Sequence, residues 1–126
     1  MFRLLATIPN VTRTKRECKT LEAAVSELCE RLREVVAILH AAEDAAWPDW
    51  FEKLLARIEQ GKLSAVGDLL GCYGGMSSFN DLVLTPVNGH RVEADEEYTI
   101  NNRLDALRRR MYDLASEIER RRKQKF

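Results

Sequence analysis

Three residues of this 126-residue chain have side chains that could act together in covalent chemistry: Cys72, His90 and Asp81. A thiol, an imidazole and a carboxylate can serve as nucleophile, base and orienting group. All three fall in the one stretch that does not read as helix, residues 71–93. No motif of a known cysteine enzyme surrounds Cys72, however, and closeness along a chain is not geometry. A small cysteine-dependent enzyme is therefore the last of the readings weighed, and no catalytic residue is assigned. The other histidine, His40, follows Leu39 in a helical pattern and reads as a boundary residue.

Metal and cofactor signals are weaker still. Cys18, Cys29 and Cys72 are odd in number and match no zinc spacing, so they read as free thiols in a reducing compartment. Glu93-Ala94-Asp95-Glu96-Glu97 does not follow a calcium loop. Gly71-x-x-Gly74-Gly75 lacks the Gly-Lys-Ser/Thr of a phosphate cradle and precedes a strand-like run instead of opening a helix. The expectation is no metal and no cofactor.

Binding is better supported. The formal charge is zero, but it is unevenly placed. Residues 1–20 carry five basic and one acidic side chain, residues 21–102 six and fifteen, and residues 103–126 nine and four. An acidic middle thus lies between basic ends. Either these parts complement one another within the fold, or the acidic face steers a basic partner. Arg120-Arg121-Arg122-Lys123-Gln124-Lys125 can touch nucleic acid, but it also suits a helix C-terminus and has no interleaved aromatics to stack bases. Nucleic acid is not the expected partner. The glycines of Gly74–Asp81 permit tight backbone paths, and Ser77, Ser78, Asn80 and Asp81 can bond nearby backbone groups. The segment is either a structural joint, with Met76 and Phe79 plugging the core, or a recognition surface on a rigid scaffold. Partner-facing candidates are Tyr73, Gly74, Gly75, Ser77, Asn80, Asp81, Glu93, Asp95, Glu96 and Glu97.

Helices must position these residues. Leu21, Val25, Leu28, Leu32, Val35 and Leu39 recur at steps of 4-3-4-3-4, which predicts an amphipathic helix over 20–44 with Thr20 as N-cap. A second helix is expected from Trp47-Pro48-Asp49, with Trp50, Phe51, Leu54, Leu55 and Ile58 on its apolar face and Gly61 beyond its end. A short third covers Leu63–Leu70. Leu82–Thr85 and His90–Val92 flank Asn88-Gly89, the strongest local hairpin signal. The last helix runs from about Asp95 to Arg122, its seam of Ile100, Leu104, Leu107, Met111, Leu114 and Ile118 repeating the spacing of the first. The two seams match in length and suggest side-by-side packing; a homodimer through either seam is the alternative. The expected fold is mainly α, a three- to four-helix bundle with a small β-hairpin between the penultimate and last helices. One helical domain, 1–126, would comprise a lead segment, 1–19, and a Gly-rich loop and hairpin insert, 71–93. No apolar run approaches the roughly 20 residues of a membrane helix. The start has neither the apolar length nor the cleavage site of a signal peptide, so cytoplasmic residence is expected.

Gly74-Gly75-Met76-Ser77-Ser78-Phe79-Asn80-Asp81-Leu82, then Asn88-Gly89-His90, then Asn102-Arg103-Leu104-x-x-Leu107-Arg108 and Tyr112-x-x-Ala115, resembles a family of small bacterial proteins of unknown function. The resemblance covers about residues 20–120. It implies a helix, a Gly-Gly-Met-x-Ser-Phe-Asn-Asp segment, a short hairpin and a closing helix, and brings no catalytic residues. It also implies an immunity-type protein of bacterial polymorphic toxin systems. The leading expectation is a non-enzymatic protein that neutralises a cognate toxin by stoichiometric binding, with Trp47, Trp50 or Tyr73 either as anchors or as core. A helical adaptor or homodimerisation protein is the alternative.

Overall fold

A computed structural model describes residues 20–74 and 78–124. Thr20 opens the first helix, α1 (Leu21–Ala41), its Oγ1 accepting the Ala23 N–H at 3.0 Å. The buried face of α1 is Ala24, Leu28, Cys29, Leu32, Val35 and Leu39. Helix α2 (Trp47–Glu59) follows with Pro48 in its first turn, where a missing N–H costs nothing. Helix α3 (Ser64–Gly71) is short, and α4 (Glu97–Lys123) closes the molecule. Phe51, Leu54 and Ile58 of α2 and Ala65, Val66 and Leu69 of α3 join one core with the seams of α1 and α4.

The two long helices pack antiparallel. Glu34 pairs with Arg103 and Glu27 with Arg110, so positions rise along α1 as they fall along α4. Leu28, Leu32, Val35 and Leu39 on one side and Leu104, Leu107, Met111, Leu114 and Ile118 on the other are at most 2% exposed. The seams therefore satisfy one another within a single chain and leave no apolar stripe for a seam-mediated dimer. Leu21, Val25 and Ile100, at the seam ends, are half-buried.

The α1–α2 corner is tighter than the helical pattern suggests. The Glu43 N–H donates to His40 O and the Asp44 N–H to Leu39 O, both at 3.0 Å, the paired bonds of a Schellman turn. This turn requires a left-handed residue after the C-cap, and Glu43 takes it at φ 57°. At the end of α2 the same role falls to Gly61, at φ 84°.

The expected hairpin does not form. Among the described residues there is no strand; two 3-10 turns, Phe79–Asp81 and Pro86–Asn88, stand in the segment between α3 and α4. Asn88-Gly89 does turn the chain, with Gly89 at φ 89° and the His90 N–H on Thr85 O at 3.1 Å. Pairing stops there because side chains hold the backbone groups a ladder would use. Asn101 Oδ1 accepts the Leu84 N–H and Asn101 Nδ2 donates to Leu84 O, both at 2.8 Å. The Thr85 N–H donates to His90 Nδ1 at 3.2 Å, and Asn88 Nδ2 to Val83 O at 3.1 Å.

Burial in the seams sets the scale of core mutations. Leu32→Ala or Leu107→Ala should each lower the unfolding free energy by about 2–5 kcal/mol in urea denaturation. Glu43→Gly should raise it, by about 0.5–1 kcal/mol, because the exposed Arg91 contact it loses is worth less than the left-handed strain it relieves.

Candidate functional site

The site is built where the α1–α2 corner meets the segment 78–90. Asp44 organises the corner. Its Oδ2 accepts the Trp47 N–H at 2.9 Å and the Ala46 N–H at 3.2 Å, satisfying donors at the start of α2 that have no helical partner. Its Oδ1 meets His90 Nε2 at 2.7 Å, with the two side chains only 8% and 5% exposed. The Arg91 N–H then donates to Ala42 O at 2.8 Å, fastening the segment to the end of α1.

The protons of His90 follow from its neighbours. A backbone N–H can only donate, so Nδ1 must accept from Thr85. The ring proton then sits on Nε2 and goes to Asp44. Neither nitrogen has a lone pair left for a substrate or a thiol. His90 is thus a buried structural link, unlike the base of a catalytic triad, whose outer nitrogen is free.

Arg108 is the second fastening. It projects from α4 on the buried side, 7% exposed, and its Nη1 donates to Phe79 O at 2.7 Å and Leu82 O at 2.8 Å. Its Nη2 pairs with Asp105, and its guanidinium lies 5.4 Å from the centre of the Phe79 ring. Phe79 is fully buried against Phe51, with ring centres 4.7 Å apart. Of the expected core plug, Phe79 is in place, capped by a cation whose hydrogen bonds fix the backbone above it, while Met76 lies outside the described residues.

Between these fastenings lies an open cleft of about 440 Å³. Glu43–Trp47 form one wall, and Ser78, Asp81–Val83 and Asn88–His90 the other.

The candidate residues separate on this frame. Asp81 is exposed on the cleft, and Asn80 is exposed beside it. Tyr73 is core-facing. Its hydroxyl donates to Arg108 O at 2.7 Å, its ring packs against Phe79 and Tyr112, and burial raises its pKa. Gly74 is exposed, whereas Gly75 and Ser77 lie outside the described residues. Glu93, Asp95 and Glu96 are exposed, and Glu97 begins α4. The trio of Cys72, Asp81 and His90 is not assembled. The carboxylate on His90 is Asp44, Cys72 does not line the cleft, and burial pushes its thiol up to about 12, away from a reactive thiolate. Burial also raises Cys29. Among the described residues no group of His, Cys, Asp and Glu is arranged to hold a metal ion. No helix among them is long and apolar enough to cross a membrane.

A family model called Domain of unknown function (DUF6966) matches residues 40–93. The matched stretch contains both walls of the cleft, α2 and α3, and leaves out most of α1 and all of α4. No curated protein and no solved structure matches the chain.

Sequence reasoning missed Arg108, Asn101 and the Asp44–His90 link. Arg108 had a signal: it sits four residues after Leu104 and three before Met111, a charged residue on the seam face. Asn101-Asn102 is a weaker one, two poor helix formers in the first turns of a helix.

Arg108→Met should leave Leu82 O without a donor and Phe79 O with the Leu82 N–H alone, and cost about 2–4 kcal/mol in urea denaturation, while Arg109→Met, on the exposed face, should change stability by less than about 0.5 kcal/mol. Acid should act through Asp44. Burial raises its pKa, but the hydrogen bonds from His90, Trp47 and Ala46 outweigh that and hold the carboxyl below its ordinary 3.8. A depressed folded pKa means that this stabilisation is complete above the unfolded value and fades as pH falls through the folded one. Thermal melts should show the chain losing stability below about pH 4, and Asp44→Asn should flatten that part of the profile.

Proposed function

We propose that this protein is a non-enzymatic binding module that neutralises a protein partner, an immunity-type partner of a bacterial toxin, by stoichiometric occlusion. The observation that carries the reading is the segment 78–90. It lies on the surface without a ladder, yet side chains from α4 and from the segment itself hold its backbone, and it presents Val83 and Val87 to solvent at 46% and 91% exposure. A stiff, non-repetitive segment on a helical scaffold is how binding loops are commonly carried. The histidine that hydrolytic or thiol chemistry would need is occupied on both nitrogens. The family resemblance supplies the toxin as partner, and the acidic residues 93–97 suit a basic one.

The self-association alternative has less support, since the long seams are consumed within the chain.

The test pairs the purified chain with the protein encoded beside it. The expected result is a one-to-one complex by light scattering, with the neighbour's activity falling to zero at equivalence and the association rate dropping as salt rises. A neighbour that neither binds nor loses activity in excess of this chain contradicts the reading.

A further inference from the structure

The end of the molecule where α1 stops and α4 starts is unlike the rest of its surface. Elsewhere, cations answer most carboxylates: Glu30 and Glu34 face Arg31, Glu59 faces Arg33, Asp68 faces Arg57, Glu117 faces Arg121 and Glu119 faces Arg122. Glu93, Asp95, Glu96 and Glu97 have no such partner among the described residues, although they sit within five positions of one another. The Arg91 guanidinium, the basic group nearest them in sequence, is paired with Glu43.

Exposed apolar side chains collect at the same end. Val83, Val87 and Tyr98 are 46%, 91% and 79% exposed. Two contacts place them at one end. Asn88 Nδ2 on Val83 O ties the 86–88 turn to Val83, and Asn101 on Leu84 docks the segment against the first turns of α4, where Tyr98 lies one turn before Asn101. The cleft opens beside Val83. Exposed apolar residues gathered at one place and rimmed by polar ones mark an interaction surface, whereas single ones do not. Here they are bordered by uncompensated negative charge.

We infer that this end is a docking surface for a basic protein segment. An aliphatic or aromatic side chain of the partner seats against Val83, Val87 and Tyr98 at the mouth of the cleft, and Lys or Arg residues flanking it meet Glu93, Asp95 and Glu96. A second copy of this chain fits less well, because a two-fold pairing would set 93–97 against its own image. At the opposite end, Arg121 and Arg122 are tied to Glu117 and Glu119 on their own helix. This inference rests on the binding reading above and refines it. It narrows the partner-facing candidates to the acidic end and adds Tyr98 to Val83 and Val87 as anchors.

The experiment titrates a synthetic amphipathic Lys/Leu peptide into the full chain and follows amide chemical shifts, with a Glu/Leu peptide of the same length as control. Shifts should concentrate at 43–47, 81–90 and 93–98 for the Lys/Leu peptide and be absent for the control. Val87→Ser combined with Tyr98→Ser should weaken binding at least tenfold with an unchanged melting temperature, both side chains being solvent-exposed. Glu93→Lys combined with Glu96→Lys should do the same and remove the salt dependence. Shifts spread evenly over remote carboxylates such as Glu22 and Asp68, or affinity unchanged in both double variants, would overturn the inference. A concentration-dependent dimer that Val87→Ser and Tyr98→Ser dissolve would also overturn it, by giving the surface to a second copy. The two claims fail separately: a toxin complex that survives both double variants removes the docking surface but keeps the binding module. A peptide site without any complex at the neighbouring protein does the reverse.

Discussion

A buried guanidinium holds the long non-helical segment between α3 and α4 in place. Arg108 comes from the middle of the closing helix, reaches past the Phe79 ring and donates to two carbonyls, Phe79 O, which also accepts the Leu82 N–H at 3.2 Å, and Leu82 O, for which it is the donor. The cost of burying a charge is met by those carbonyls and by Asp105, whose carboxylate stays half in solvent. Removing the guanidinium would strand Leu82 O. Keeping it forces residues 79–82 to lie in one register along α4.

The same solution recurs further along. Asn101 presents an acceptor and a donor to Leu84, as a neighbouring strand would, and His90 accepts the Thr85 N–H while giving its own proton to Asp44. Three side chains from two places thus replace a β-ladder. The consequence is functional as well as structural. A hairpin would have presented an open edge and a register able to slip. A segment bonded group by group to a helix has neither, and it leaves Val83 and Val87 pointing at solvent. The Asp44–His90 link ties this segment to the start of α2 and, with the Arg91 N–H on Ala42 O, positions the two walls of the cleft.

Helices were legible because their signals are local and repeated. The matched seams of α1 and α4, the Thr20 cap, Pro48 at the start of α2 and Gly61 after its end each occupy the place their chemistry suggests. The hairpin was misread because Asn88-Gly89 reports only that the chain turns, which it does. Whether the flanking residues then pair depends on competitors for their N–H and C=O groups, and here Asn101 lies many positions away in sequence. The partnership of His90 with Asp44 instead of Asp81 was hidden for the same reason, being set by where α1 ends. The sequence leaves Tyr73 open as a partner anchor or as core, because an aromatic type alone does not say which way it faces. Its hydroxyl is spent on Arg108 O.

Native-state hydrogen exchange at the Leu84 and Thr85 amides tests this account most directly. These two N–H groups have only side-chain acceptors, Asn101 Oδ1 and His90 Nδ1, and lie in a segment with no regular secondary structure. Protection of both to the level of mid-α4 amides, lost at Leu84 alone in Asn101→Ala, is the result expected of a segment clamped by side chains. Exchange of both at the rate of an unstructured peptide, in a chain whose α4 amides stay protected, would contradict it.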